Sequence, residues 1–501
     1  MSLSSPGSPS AVTPNFDLQP ESVATLLIAG QWRAAPDGAV LPMHAPADGR
    51  LIGHISRGGA AEVDAAVQAA QAALASPAWA GLSAAQRGRL LMALSRRVQE
   101  EAERLAWLEA HDTGKPIGLA RADMQVLARY LEFYGGAADK VHGEVIPFEP
   151  GYTVTLTREP LGVTAHIIPW NYPAQMFGRS IAPALAMGNA VVLKPSEDAC
   201  LSCLAVTQLA LEVGFPAGSI NVVTGLGAEA GAALSAHPGI GLVTFTGSSE
   251  VGALVQGAAA RHHVPVTLEL GGKSPQIVFA DADLERAADA VVRGIVQNAG
   301  QTCSAGSRVL VEKSAFPAFA DMLARRFGTL RMGVPETNAD LGPLINAPQR
   351  QRVQRFVAQA RADGVPVIAE TPLAADLPEQ GLFVAPIAFG PVPPQHALAR
   401  EEVFGPVLCA MPFEDEADAV RLANDTDFGL VAAVWTRDGD RQARLARRVQ
   451  SGQFFINCYG AGGGVELPFG GTKRSGHGRE KGMAALDEMS VTKTVVHFHG
   501  Q

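Results

Sequence analysis

From residue 162 onward the sequence alternates short apolar segments with helical ones, and this alternation constrains the fold more than any other feature. Gly162–Ile168, Ala190–Leu193, Ser219–Thr224, Leu242–Thr246 and Val264–Leu268 read as buried strands separated by helices, one of them over 198–213. Uniformly apolar strands joined by helices imply a parallel sheet covered on both faces. A second series starts at 272, with strand Gln276–Phe279, a helix over 283–298, strand Arg308–Val311 and a helix over 315–327. Two α/β domains in series follow from this. Upstream, residues 60–75 and 83–111 have helical spacing. In the longer segment Leu90, Leu91, Leu94, Val98, Leu105 and Leu108 form a stripe, Ser83 is placed as N-cap and Gly114 as the stop. A third helix is expected near 120–139. Tyr152–Arg158 alternates strictly and reads as an edge or hairpin strand, with the C-terminal VTKTVVHFHG able to pair with it or with a neighbouring subunit.

Composition narrows the function classes. A chain of 501 residues with 47% hydrophobic residues can bury large cores without disulfides or metals. Its net charge of −9 argues against non-specific nucleic-acid binding and against anionic membrane surfaces. Residues 1–20 have neither Lys nor Arg nor an apolar run, and read as a disordered leader rather than a signal peptide. Five scattered cysteines are no disulfide framework, so a reducing, cytoplasmic setting is expected. Cys200 and Cys203 form a CxxC on a predicted helix, but no second ligand pair follows. They are read as packed thiols, as are Cys409 and Cys458 on strands, and no metal site is expected.

Four windows carry possible chemistry. Cys303 lies in QNAGQTCSAGS among small polar neighbours that would leave a thiol accessible, although the window alone fits a packed cysteine equally well. Glu269 ends an apolar strand just before Gly271 and Gly272, at the carboxyl edge of a parallel sheet where ligands bind. Partial burial there would raise its pKa towards that of a general base, and an exposed strand-end Glu is the plainer alternative. The turns Gly225-Leu-Gly227 and Gly247-Ser248 can each offer backbone N–H groups to a phosphate, but glycine turns are common. In Pro169-Trp170-Asn171-Tyr172-Pro173 the Asn carboxamide could donate to an oxyanion. A helix after Pro173 would put Tyr172, Met176 and Arg179 along one face.

Together and in order, these windows resemble the aldehyde dehydrogenase superfamily over roughly residues 25–498. The motifs are IIPWNYP (167–173), VVLKPSE (191–197), FTGSSEVG (245–252), LELGGKSP (268–275), GQTCSAGSR (300–308), EEVFGPV (401–407) and PFGGTKRSGHGRE (468–480). The resemblance implies two Rossmann-like, doubly wound α/β domains and a small β oligomerisation element. Residues 21–139 and 159–268 would bind NAD, 269–472 would be catalytic, and 140–158 with 473–501 would build a homodimer or homotetramer. It implies Cys303 as nucleophile, Glu269 as the base that activates water, and Asn171 as oxyanion donor. Ile168, Pro169, Trp170, Lys194, Glu197, Gly227, Phe245, Gly247, Ser248, Leu270, Glu402 and Phe404 match cofactor positions. Glu197 would favour NAD over NADP by repelling a 2′-phosphate.

For the substrate, the resemblance points to Tyr172, Met176, Arg179, Gln297, Thr302 and Phe469. Arg179 stands where many relatives have Trp and is similar to the carboxylate-binding Arg of succinic-semialdehyde dehydrogenases. Those enzymes carry a second Arg where Gln297 stands here. The glycine-rich 459–467 loop predicts a wide entrance. The expectation is therefore a semialdehyde or a polar, bulky aldehyde. A CoA-acylating enzyme and a non-catalytic relative are the competing readings. The first usually lacks the base that Glu269 supplies, and the second would be expected to have lost the thiol or the base.

Overall fold

The structure, a computed structural model, describes residues 24–460 and 464–500. The leader and residues 461–463 of the predicted wide loop lie outside the described residues. Two largely parallel sheets dominate, as the strand–helix alternation predicts. In the first, the parallel strands run in the spatial order Ile220–Val222, Ala190–Lys194, Val163–Ile167, Leu242–Thr246, Val266–Glu269. Chain order therefore reverses between Val163–Ile167 and Leu242–Thr246, which is where an open doubly wound sheet binds ligands beyond its carboxyl ends. Leu26–Ile28 extends one side antiparallel, and Gly476–His477 pairs antiparallel with Leu268–Glu269 on the other. The motif around Glu480 is thus tied to the strand that carries Glu269.

In the second sheet the parallel strands are ordered Ile387–Phe389, Val407–Phe413, Arg308–Glu312, Pro275–Val278, Val431–Trp435, Gln453–Ile456. Leu270–Ser274 is all that joins the last parallel strand of the first sheet to the first strand of the second. Functional groups at this junction are accordingly shared between two rigid cores.

Local expectations differ from the structure at two places, the helix over 83–111 and Cys458. The segment 83–111 is two helices, Ala84–Glu100 and Ala102–Thr113, hinged at Glu101 (φ −96°, ψ 7°). No Gly or Pro marks the hinge, and Glu101 spans it by accepting from Arg97 and Arg104. Ser83 caps the first helix, and Gly114 ends the second in the left-handed conformation. Tyr152–Pro160 is the hairpin strand of the two alternatives, paired antiparallel with Glu144–Ile146, and the C-terminal strand Ser490–Phe498 pairs with its full length on the other side, as expected. Cys458 follows its strand and is exposed, whereas Cys200, Cys203 and Cys409 are buried. Among the described residues, no helix is long and apolar enough to cross a membrane.

Candidate active site

Cys303 is delivered by a backbone that turns sharply out of the helix Leu284–Val296. Asn298, Ala299 and Gly300 take three successive left-handed conformations (φ 49°, 54° and 73°). Such a run is costly for a residue with a Cβ, and strain of this kind persists only where surroundings enforce it. The enforcement is visible. A Cβ on Gly300 would lie 2.2 Å from the Gly405 carbonyl oxygen, so only glycine fits. Gln301 Nε2 donates to the Asn298 carbonyl (3.1 Å), and Gln301 Oε1 accepts from the Ile345 amide (2.9 Å). The Cys303 thiol ends half-buried, lining a cavity of about 740 Å³ at the reversal point of the first sheet.

Asn171 faces it from the end of strand Val163–Ile167. Its Nδ2 donates one hydrogen to the Gln301 carbonyl (2.9 Å), leaving the other hydrogen free for the cavity. Its own carbonyl accepts from Asn298 Nδ2 (3.1 Å) and from Lys115 Nζ (3.0 Å). Lys115 is fully buried, paired with Glu109 (2.9 Å) and Asp123 (2.5 Å), and lies 4.5 Å over the Tyr172 ring. The Tyr172 hydroxyl in turn shares a hydrogen bond with Thr302 Oγ1 (2.7 Å). Glu109, Lys115 and Asp123 are close in sequence, but no motif marks them because the Asn171 carbonyl that Lys115 braces lies 56 residues downstream.

Glu269 ends its strand 2% exposed, and neither of its carboxylate oxygens has a hydrogen-bond partner. Burial holds its pKa well above the usual carboxylate range, against the pull of Arg179 and with the push of Glu480. Burial likewise pushes the Cys303 thiol up to about 12, opposed by Arg179 and reinforced by Glu269 and Glu402.

Arg179 lines the same cavity, as expected of a substrate-facing residue, but its charge is already engaged. Its Nη2 lies 3.2 Å from Glu269, its Nε pairs with Glu480, and its guanidinium lies 4.3 Å over the Phe469 ring. Two of the chain's own carboxylates thus claim the charge that was expected to meet a substrate carboxylate. Gln297 is exposed and does not line the cavity. Met176 and Tyr172 do line it, Thr302 is nearly buried beside Tyr172, and Phe469 packs with Leu430 and Val431 in the cluster against which Cys303 rests.

On the other side of the thiol, Pro169, Trp170, Gly247, Ser248, Glu402 and Phe404 line the same cavity. Ser248 caps the helix Ser249–Ala260 through Val251 N (3.2 Å), so a helix N-terminus opens on the cavity. Ile168, Phe245 and Leu270 are buried behind it. Glu402 Oε1 accepts from Gly272 N (2.8 Å), and a Cβ on Gly271 would lie 2.3 Å from the same carboxylate. Burial raises the Glu402 pKa to about 7, against the Gly272 N–H and Lys273. Phe404 has φ 59° and meets Trp170 edge-on at 5.5 Å. Its loop is held by two residues that no motif marked. Gln349 Nε2 donates to the carbonyls of Val403 (3.2 Å) and Phe404 (2.7 Å), and Arg352 Nη2 donates to that of Glu402 (2.6 Å). Further along, Glu197 is gripped by Lys194 Nζ (2.5 Å) and by Gly227 N (2.9 Å). Burial would raise the Glu197 carboxyl, but Lys194 and the Gly227 N–H together bring it below its ordinary range.

These features fit an extended dinucleotide: a carboxylate poised for ribose hydroxyls, a helix N-terminus for phosphate, and a braced aromatic beside the thiol. Gln349→Ala removes both braces of Phe404. It is expected to raise the KM for the dinucleotide about 3- to 10-fold, and an unchanged KM in steady-state titration would contradict the bracing role.

The comparisons agree with this geometry. Residues 32–495 match the model of the aldehyde dehydrogenase family. The chain is 42% identical over 472 residues to hydroxyisobutyraldehyde dehydrogenase of Mycolicibacterium austroafricanum, covering 94% of this chain and 93% of that protein. It is 40% identical over 487 residues to human retinal dehydrogenase 2, covering 96% and 93%. A crystal structure of an aldehyde dehydrogenase family protein from Burkholderia cenocepacia superposes with a TM-score of 0.94 at 58% identity, over 95% of this chain and 100% of that one. Betaine aldehyde dehydrogenase from Staphylococcus aureus, in complex with NAD+, superposes with a TM-score of 0.93 at 35% identity, over 95% of each chain. From its strand order to the thiol at its sheet junction, the chain belongs to the aldehyde dehydrogenase family, oxidoreductases that act on the aldehyde group.

Proposed function

We propose that this chain oxidises an aldehyde to its carboxylic acid through a covalent intermediate on Cys303, with NAD as the preferred dinucleotide. The observation that carries the reading is the meeting of three groups at the sheet junction. A half-buried thiol, a buried carboxylate paired with Arg179 and a carboxamide with one free hydrogen all face one cavity. Cys303 Sγ adds to the aldehyde carbon, and the oxygen that becomes negative accepts from Asn171 Nδ2 and the Cys303 amide, which has no partner among the described residues. The dinucleotide, when bound, supplies the hydride acceptor that this two-electron oxidation requires. With the carbon at the acyl level as a Cys303 thioester, Glu269 takes a proton from water, and the water displaces the thiolate to release the acid.

A CoA-acylating enzyme would need no such base, so Glu269 disfavours that alternative. NADH formation from an aldehyde panel should proceed without CoA, and strict dependence on CoA would overturn the reading.

Glu197 supports NAD over NADP, because its half-buried, ionised carboxylate suits two ribose hydroxyls and repels a 2′-phosphate. The expected preference in kcat/KM is about 10-fold or more, narrowing in Glu197→Gln. Better kinetics with NADP would contradict it. The three-stranded sheet exposes Val145, Val495, Val496 and Phe498, and its hairpin loop exposes Phe148, which supports assembly of this sheet with a further copy of the chain.

A further inference from the structure

We propose that Lys481 is the anchor for a negatively charged group on the substrate, so that the preferred aldehyde carries a carboxylate at its far end. This rests on the proposed function and names the substrate class of the same site.

The starting point is charge pairing on the apolar side of the thiol. Arg179 is held by Glu269 and Glu480, and Glu466 is paired with Arg129 (2.5 Å). Lys481 is the residue directly after Glu480. It is only 7% exposed, yet its ammonium makes no hydrogen bond or ion pair with any described residue. A largely buried lysine without an anionic partner is less favourable than one in water, and its ammonium is not among the fully enclosed groups, so it stays open to a partner arriving from outside. Burial already draws its pKa down to about 8, with Arg179 adding to the effect and Cys303, Glu269 and Glu466 opposing it. An anion seated beside it would restore the full charge.

Geometry gives the direction. The Lys481 backbone is left-handed (φ 66°) and is fixed on both sides. Phe469 and Glu480 exchange backbone hydrogen bonds (2.7 and 2.8 Å), and Gly482 N donates to the Val465 carbonyl (2.6 Å). The side chain is thereby laid over the Phe469 ring, with Nζ 5.6 Å from its centroid. Phe469 belongs to the cluster with Leu430 and Val431 against which Cys303 packs. A single aromatic residue therefore links the free cation to the nucleophile. An aldehyde whose carbonyl meets Cys303 and whose chain follows Phe469 would bring a terminal carboxylate to Lys481. A cationic aldehyde on the same path would meet two cations over one ring.

The test compares glutaric semialdehyde with pentanal, using full-length protein and NAD. In the wild type the ratio of kcat/KM should favour the semialdehyde. In Lys481→Met that ratio should fall about 10- to 100-fold, mainly through the KM of the semialdehyde. Lys481→Arg should keep the preference, and Lys481→Glu should shift it towards betaine aldehyde. An unchanged ratio in Lys481→Met, or equal losses on both substrates together with no rescue by Arg, would overturn the anchor. If the wild type oxidised pentanal through Cys303 but showed no such ratio change, only this inference would fail. If it oxidised neither aldehyde, the proposed function itself would fail.

Discussion

Cys303→Ala is expected to cut aldehyde oxidation by about four orders of magnitude or more while leaving NAD binding within a few-fold. The reason is that the other groups act on an atom this substitution removes. Asn171 and the Cys303 amide stabilise an oxyanion only after the thiol has added, and Glu269 acts on an acyl group that would never form. Cofactor binding, by contrast, is proposed to draw on Glu197, Ser248, Glu402 and Phe404, and none of these hydrogen-bonds the Cys303 side chain. The alanine is also benign for folding, since the thiol is half-buried and the strained turn before it is enforced by Gly300 and Gln301 instead. Cys303→Ser should be nearly as inactive, because an unactivated hydroxyl is a poorer nucleophile. Activity of Cys303→Ala within tenfold of wild type would remove the thiol from the reaction.

Arg179→Leu has the second-largest expected effect, and it acts on two quantities. It strands Glu269 and Glu480 in a buried setting with their shared cation gone, which for a broken buried pair costs about 3–5 kcal/mol. It also removes the cation that favours the ionised forms of both Glu269 and Cys303. Both groups are active when deprotonated, and both titrate above their ordinary ranges. The wild-type rate should therefore be low in acid and rise with pH, and without Arg179 each group needs a still higher pH to ionise. The pH–rate profile of kcat/KM should move in the alkaline direction, while Arg179→Lys should keep it near the wild-type position. A profile that stays in place or moves towards acid would show that Arg179 does not govern these groups. A melting temperature unchanged in Arg179→Leu would contradict the structural half.

What could be read from the sequence was whatever is written locally. The alternation of apolar strands with helices specifies both sheets because fully buried strands need no partner-specific signal. Cys303 and Glu269 are visible because each sits at a strand or helix end beside small residues, and Asn171 because it follows a strand and lies between two prolines. What escaped is contact at long range. Arg179 matches a substrate-facing position by local pattern, but its carboxylate Glu480 arrives from about three hundred residues downstream on a segment paired to the Glu269 strand. Lys115 is the same case, since its role behind Asn171 exists only once two helices and a loop are packed together. Gln349 and Arg352 lie in a polar helix whose sequence says nothing about the Phe404 loop it braces. Cys458 was misplaced because its strand ends at Ile456, two residues earlier, and only tertiary packing decides that.

The central claim is a covalent acyl intermediate on Cys303 that Glu269 releases. Rapid mixing of Glu269→Gln with NAD and an aldehyde, followed by intact-protein and peptide mass spectrometry, tests it most directly. The expected result is a burst of about one NADH per active site, then near-arrested turnover, with the acyl mass on the Cys303 peptide. Steady turnover without a burst, or an acyl group on any other residue, would contradict it.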